Sequence, residues 1–199
     1  MDSNFLNTMK LRRSIYMLQP DIRQGDAEIE ELLKQALKYT PTAHNTQLTR
    51  IVLLLRQNHT VFWDLVMDAI REVNPGADLT SSEHKIEQFK DGYATVLFYN
   101  DTNETKRMIE ELPLYKDQFT KWAHHANAML QFAVWNLFAE AGIGASLQHY
   151  NPIVDERVRQ RWQIDPAWEL IAQMPFGVPM EEGWDKPFMP IEERFFVFE

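Results

Sequence analysis

From Trp122 to Ala139 the chain runs eighteen residues without an Asp, Glu, Lys or Arg, although a quarter of all its residues are charged. A run of that length is either a membrane span or a helix enclosed by protein. It carries His124, His125, Asn127, Gln131 and Asn136, and Glu140 follows at once. Such groups are costly in hydrocarbon and ordinary where a protein interior supplies partners, so the segment reads as a buried helix over 121–140. Asn127 and Gln131 fall together on the helical wheel, with Asn136 and Glu140 opposite and apolar residues on both flanks. A helix of this kind is buried around most of its girth and forms the spine of a domain or of a dimer.

The remaining sequence can enclose it. Of 199 residues, 45% are hydrophobic, and no repeat, low-complexity tract or Pro/Gly linker divides them, which gives one domain over 1–199. The absence of cysteine removes disulfide frameworks, thiolate metal sites and cysteine nucleophiles. With 29 acidic against 20 basic residues the net charge is −9, which opposes general nucleic-acid binding. The opening MDSNFLNTMKLRR has an acidic second residue and no apolar run before its basic residues. It does not resemble a secretory leader, and a cytoplasmic protein is the default expectation.

Hydrophobic periodicity predicts a helix over 27–39 capped by Asp26 and ended by Pro41, and another over 61–73. Ile51–Leu55 and Ala94–Tyr99 read as strands covered on both faces, the second ended by the turn pair Asn100-Asp101. Gly142 and Gly144 terminate the long helix, 143–147 starts a third strand and 168–176 forms a fourth. The C-terminal ERFFVFE has strong β propensity and no partner nearby. Few strands among many helices predict an α+β fold, a central sheet wrapped by helices.

Common catalytic signatures are missing. Gly142-Ile143-Gly144 lies after a helix and before a strand, the reverse of a dinucleotide fingerprint, and no P-loop, nucleophile elbow or H-E-x-x-H occurs. His124 and His125 point apart on a helix, and His44, His59 and His84 lack carboxylates at ligand spacing, so no metal site is expected. The acids of 104–111 and 181–185 read as solvated faces.

Three segments have the chemistry of binding. Arg12-Arg13-Ser14 offers two planar guanidinium forks and a hydroxyl, suited to a phosphate, or equally to a helix C-terminus that favours cations. Thr40 to Gln47 is a polar turn whose Asn45 and Gln47 amides suit a planar heterocycle or simply form the turn. Gly144 to Pro152 brings small residues and backbone amides to a strand end, as a ligand site or an ordinary loop.

Occurring in this order, the three segments resemble the nitroreductase family of FMN-dependent oxidoreductases. R-R-S is similar to that family's flavin-phosphate motif, P-T-A-H-N-T-Q to its P-S-x-x-N-x-Q loop, and the A-x-x-G-I-G-A run to its core helix and isoalloxazine loop. K-P-F-M-P-I-E-E from Lys186 is similar to its K-x-R-x-P-x-E-E. G-A-S-L-Q-H-Y-N-P resembles the short branch that includes yeast and lactic-acid-bacterial members.

The resemblance implies a nitroreductase-like fold with a central mixed sheet, FMN at a homodimer interface and a C-terminal strand exchanged between subunits. It implies that Arg12, Arg13 and Ser14 hold the FMN phosphate and ribityl end, with Lys186 as a further cation. Asn45 and Gln47 lie near the flavin, with the Thr42 turn supplied by the partner subunit, and Gln148, His149 and Tyr150 pass along the isoalloxazine edge. Phe188 and Tyr16 stand where relatives carry basic residues, which implies a weaker hold on FMN, and His149 replaces a common acid. The implied activity is NAD(P)H-dependent reduction of nitroaromatics or quinones by a ping-pong route, with His149 as a tuner of chemistry done by the flavin. The alternative is a flavin-binding regulatory or stress-response protein with little turnover.

Overall fold

Strand β3 (Ala94–Asp101), buried over all but its last residue, organises the computed structural model, which describes residues 3–199. Met1 and Asp2, part of the leader reading, lie outside the described residues. Ahead of β3 come α1 (Asn4–Leu11), β1 (Leu18–Gln19), α2 (Asp26–Tyr39), β2 (Thr49–Leu55), α3 (Gln57–Val73) and α4 (Thr80–Lys90). After it come α5 (Thr102–Glu111), α6 (Lys116–Glu140), β4 (Gly144–Ala145), α7 (Asp155–Trp162) and β5 (Trp168–Pro179). The sheet order is β1-β5-β3-β2, with β4 also on β5. The sheet is therefore antiparallel and not mixed as expected, and among the described residues the parallel pairing is a single bridge between Ser14 and Ala145.

The alternation of β3 splits the core in two. Ala94, Val96 and Phe98 face a cluster with Ile29 and Leu33 of α2 and Leu130, Val134 and Phe138 of α6. Leu97 and Tyr99 face the opposite cluster, with Phe62, Trp63 and Val66 of α3, Phe89 of α4 and Val158 of α7. A bulge between Phe98 and Tyr99 preserves this division against β5. The result is the helix–sheet–helix arrangement expected of the α+β reading.

Several element limits differ from the sequence expectation. Gly25 is the cap of α2 and Asp26 its first residue; the Glu28 carboxylate accepts from the Gly25 amide at 2.9 Å. The Asp26 carboxylate instead accepts from the Tyr93 hydroxyl and pairs with Arg56. Asn100-Asp101 is no turn, because β3 runs through it and Asp101 caps α5 by accepting from Asn103 N–H at 3.0 Å. The third strand shrinks to two residues. Helix α6 starts five residues early and ends at Glu140, and the φ of 74° at Gly142 lets the Ile143 amide donate back to Phe138 at 2.8 Å.

Helix α6 is less enclosed than expected. Asn127 and Gln131 are buried, but His124, His125, Ala128, Met129 and Phe132 form an exposed stripe in the single chain. The ERFFVFE segment forms no strand here, since no edge of the same chain pairs with it, and Phe195 to Phe198 are exposed. Among the described residues no helix is long and apolar enough to cross a membrane.

Candidate functional site

Where α1 ends, Arg12 leaves helical geometry, and the chain after it crosses to β4. Ser14 bridges to Ala145, and the Ile15 amide donates to the Ala145 carbonyl at 3.0 Å. The R-R-S segment is thereby fixed beside the loop that carries Gln148, His149 and Tyr150.

That loop is pinned by a glutamine. Gln173, with no exposed surface, exchanges backbone hydrogen bonds with Gln148 at 2.7 and 2.9 Å, and its side-chain oxygen accepts from Tyr150 N–H at 2.8 Å. Its Nε2 donates to Asn151 Oδ1 at 2.9 Å, and the Gln148 side chain donates to Ser146 Oγ at 3.0 Å. The Gln148 and Tyr150 amides are therefore engaged inside the chain. The His149 amide alone among the three has no acceptor among the described residues, and its side chain is exposed. Burial raises the Tyr150 hydroxyl to about 12, so the loop carries a neutral phenol.

The 180–188 run lies against the same place. Glu181 accepts from the amides of Tyr16 and Met17 at 2.8 and 3.2 Å, so this acid is a structural acceptor and not part of a solvated face. Trp184 stacks on Tyr16 at 5.7 Å. A Cβ at Gly183 would lie 2.4 Å from the Arg13 Cβ, so only glycine lets the backbone approach that arginine so closely. Lys186 is exposed on this run and lies over the Phe188 ring at 5.4 Å.

Cations gather at the R-R-S end of the site. Arg12 sits over Trp135 of α6 at 4.2 Å, and burial together with the neighbouring Arg13 charge lowers its pKa. Among the described residues neither Arg12 nor Arg13 pairs with a carboxylate, in contrast to Arg50, Arg71 and Arg107. Two guanidinium groups without a carboxylate partner and an adjacent hydroxyl have the chemistry that suits a phosphate. Lys85 of α4, absent from the sequence-based site, also reaches this region, 5.5 Å from the Tyr16 ring and 5.9 Å from that of Tyr150.

The 42–47 loop stands apart. Thr42 Oγ1 accepts from Gln47 N–H at 3.0 Å, and His44, Asn45 and Gln47 all have φ near +50°, a strained conformation for residues with side chains. Such strain holds Asn45 and Gln47 exposed while Thr46 is buried. His44 packs among Tyr115, Phe119 and Trp122 at 5.7 to 6.2 Å. No hydrogen bond, ion pair or ring contact among the described residues joins this loop to Arg12–Ser14 or to Gln148–Tyr150. One chain thus brings together the R-R-S segment, the 148–150 loop and the Lys186 run, and leaves Thr42, Asn45 and Gln47 as a separate group.

The chain matches the Nitroreductase family over residues 9–178. It is 32% identical to nitroreductase FRM2 of Saccharomyces cerevisiae over 94% of this chain and 93% of that protein. Nitroreductase CinD from Lactococcus lactis, solved with chloramphenicol, superposes with a TM-score of 0.91 at 31% identity, covering 98% of this chain and all of that one. An FMN complex from Desulfovibrio desulfuricans shares the fold, with a TM-score of 0.70 at 18% identity over 100% of this chain and 99% of that one. Family match, identity and fold agree along nearly the whole length, and the chain belongs to the nitroreductase family of oxidoreductases.

Proposed function

We propose that the protein is an FMN-dependent oxidoreductase that uses NADH or NADPH to reduce nitroaromatic or quinone acceptors. The observation that carries this reading is the pair of unpaired guanidinium groups, Arg12 and Arg13, fixed beside the 148–150 loop through Ile15 and Ala145. A terminal phosphate monoester with nearly two negative charges satisfies both forks, whereas the diesterified, bulkier phosphate of FAD does not. Arg12, Arg13 and Ser14 hold that phosphate, and Lys186 adds a cation from the run that lies over Arg13. Bound FMN would supply the redox chemistry between the nicotinamide and the acceptor.

The chain's own residues bind, orient and tune. The unengaged His149 amide is the loop's donor to a flavin ring acceptor, and Gln173 holds the loop rigid by its bonds to Gln148, Tyr150 and Asn151. The His149 imidazole, exposed beside that amide, is a tuner and not an obligatory acid, because solvent supplies protons there.

The second half of the site comes from a second copy. Asn45 and Gln47 are exposed and held away from the R-R-S segment of their own chain, and the protein works as a homodimer in which the Thr42 to Gln47 loop of one subunit completes the flavin site of the other. An apolar groove of ≈ 540 Å³ between α1, α2 and α6, lined by Phe5, Tyr39, Pro41, Met129 and Leu137, suits the exposed Phe195 to Phe198 segment of the partner. An exchanged C-terminal segment would bury both surfaces.

A single pocket beside the 148–150 loop would admit one planar substrate at a time, so nicotinamide and acceptor would compete for it. Steady-state rates with NADH and a nitroaromatic or quinone are expected to give parallel double-reciprocal plots, with each substrate competing at high concentration. Intersecting plots would contradict the single pocket, and FMN-loaded protein without turnover would favour a regulatory flavoprotein.

A further inference from the structure

Tyr99 of β3 carries a buried hydroxyl that nothing in the chain meets. The residue is 2% exposed, and its Oη has no hydrogen-bond partner among the described residues. A buried polar group left in that state costs free energy that a matching ligand restores. Tyr99 lines a cavity of ≈ 150 Å³ between β3, α7 and β5, together with Thr102, Asp155, Arg159, Trp168 and Glu169. Thr102 is already committed, its hydroxyl donating to the Ala167 carbonyl at 2.8 Å. Burial, and after it the Asp155 charge, raises the Tyr99 pKa, so the open hydroxyl is a neutral phenol with a proton to donate.

The charge left over in this cavity is acidic. Among the described residues Asp155 and Glu169 make no ion pair, whereas Arg159 gives its guanidinium to Glu156 at 2.6 Å. Arg50, 5.7 Å from the centre of the Trp168 ring, is likewise taken by Asp101 at 2.9 Å. Burial raises the Asp155 pKa; the Asn151 hydrogen bond and the Arg159 charge oppose this, and the Glu169 charge adds to it. A half-buried carboxylate thus has too little positive charge around it. Its position is nonetheless fixed. Asn151 Nδ2 donates to Asp155 Oδ1 at 2.9 Å and to the Leu170 carbonyl at 2.8 Å, and Asn151 Oδ1 accepts from Gln173 at 2.9 Å. The second carboxylate oxygen, Asp155 Oδ2, accepts no hydrogen bond among the described residues.

We propose that this cavity is a second ligand site, for a small organic ammonium ion that also carries a hydroxyl, a short amino alcohol. The ammonium donates to the carboxylates of Asp155 and Glu169, and the ligand hydroxyl oxygen accepts from Tyr99. Each end answers a group that the chain leaves unmatched, the cation two carboxylates and the acceptor a phenol proton. A space of ≈ 150 Å³ takes a ligand of a few heavy atoms and excludes a flavin or a nicotinamide. No residue of the R-R-S segment, the 148–150 loop or the Lys186 run lines it, so the site is distinct from the candidate flavin site and does not depend on FMN.

The test is isothermal titration calorimetry of the full-length protein with ethanolamine at fixed pH and ionic strength. Ethylamine, which lacks the hydroxyl, and ethylene glycol, which lacks the charge, are the comparison probes. Ethanolamine is expected to bind with a Kd of about a millimolar, the scale of so small a ligand, ethylamine about two- to tenfold more weakly, and ethylene glycol not measurably. Tyr99→Phe is expected to bind ethanolamine no better than wild type binds ethylamine. It is also expected to keep its thermal stability, because the hydroxyl it loses has no partner in the chain. Asp155→Asn, whose amide oxygen can still accept from Asn151, is expected to weaken ethanolamine binding about ten- to hundredfold. Glu30→Gln, an exposed acid of α2, is the control for loss of an unrelated charge and is expected to match wild type. Where Asp155→Asn does not fold, Glu169→Gln tests the charge in its place. Wild-type protein that binds no ethanolamine, ethylene glycol bound as well as ethanolamine, or an ethanolamine affinity unchanged in Tyr99→Phe or in the charge variant would overturn the site.

Discussion

The Arg12 guanidinium carbon lies 4.2 Å from the centre of the Trp135 ring, so the first arginine of the R-R-S segment is docked on the central helix. Docking on a rigid element fixes the fork in advance and reduces the entropy cost of closing on an anion. Arg12→Ala is expected to weaken FMN affinity about ten- to hundredfold, the scale of one or two charge-assisted hydrogen bonds, with little change in thermal stability. Flavin fluorescence quenching and a thermal melt check this together. Wild-type FMN affinity in the variant would remove Arg12 from the site.

His59 gives the fold a pH dependence of its own. It is buried on α3, and burial pulls its pKa down to about 4. Trp63 donates to Thr95 Oγ1 at 2.9 Å, so the Thr95 hydroxyl has its proton free for His59 Nδ1 at 2.7 Å, and Nε2–H donates to the Lys90 carbonyl at 3.3 Å. The neutral ring fits this chain of donors and the imidazolium does not. Unfolded, the same ring titrates near pH 6.5. The folded state therefore keeps its full advantage above about pH 6.5 and loses it as pH falls towards about 4, by about 3 kcal/mol in all. Urea unfolding across that range is expected to show a slope absent from His59→Leu; equal slopes would contradict it.

Asn127 joins α6 to β3 without any contact to the candidate site. Its amide donates to the Tyr99 carbonyl at 3.0 Å and to Asn100 Oδ1 at 2.9 Å, and its oxygen accepts from Gln131 at 2.7 Å. Asn127→Leu removes these three bonds from buried groups, with an expected loss of about 2–4 kcal/mol in chemical denaturation. A loss below about 0.5 kcal/mol would show that the network relaxes around the leucine.

What was legible in the sequence follows the physics of local pattern. The apolar run Ala94 to Tyr99 and the i, i+4, i+7 spacing of Ile29, Leu33 and Ala36 declare β3 and α2, because the strand is buried on both faces and the helix along one stripe. Helices α4, α5 and α7 escaped because they bury only Ile86 and Phe89, Met108, and Val158, too few apolar positions to show a period. The R-R-S and 144–150 segments were visible by composition, but their adjacency depends on the Ser14–Ala145 bridge, a long-range contact without local signature. Gln173 had a signal, a polar residue inside an apolar strand. Lys85 had none, and Glu181 was hidden by the acids around it.

Removal of residues 194–199 tests the proposed exchange of the C-terminal segment. Phe195, Phe196, Val197 and Phe198 are 67 to 94% exposed in one chain, an apolar tail that a soluble protein covers. The truncated protein is expected to be insoluble or to lose FMN and dimer together, as read by size-exclusion chromatography with light scattering. A soluble, FMN-loaded truncation would contradict the exchange.

The central claim is tested most directly by the visible absorption spectrum of the FMN-reconstituted protein, taken before and after anaerobic addition of NADH and then of a nitroaromatic. One FMN per chain is expected, bleached by the nicotinamide with no acceptor present and restored stoichiometrically when the nitroaromatic is added. A protein that retains no flavin, or whose flavin band stands unchanged in excess NADH and NADPH, would contradict the account.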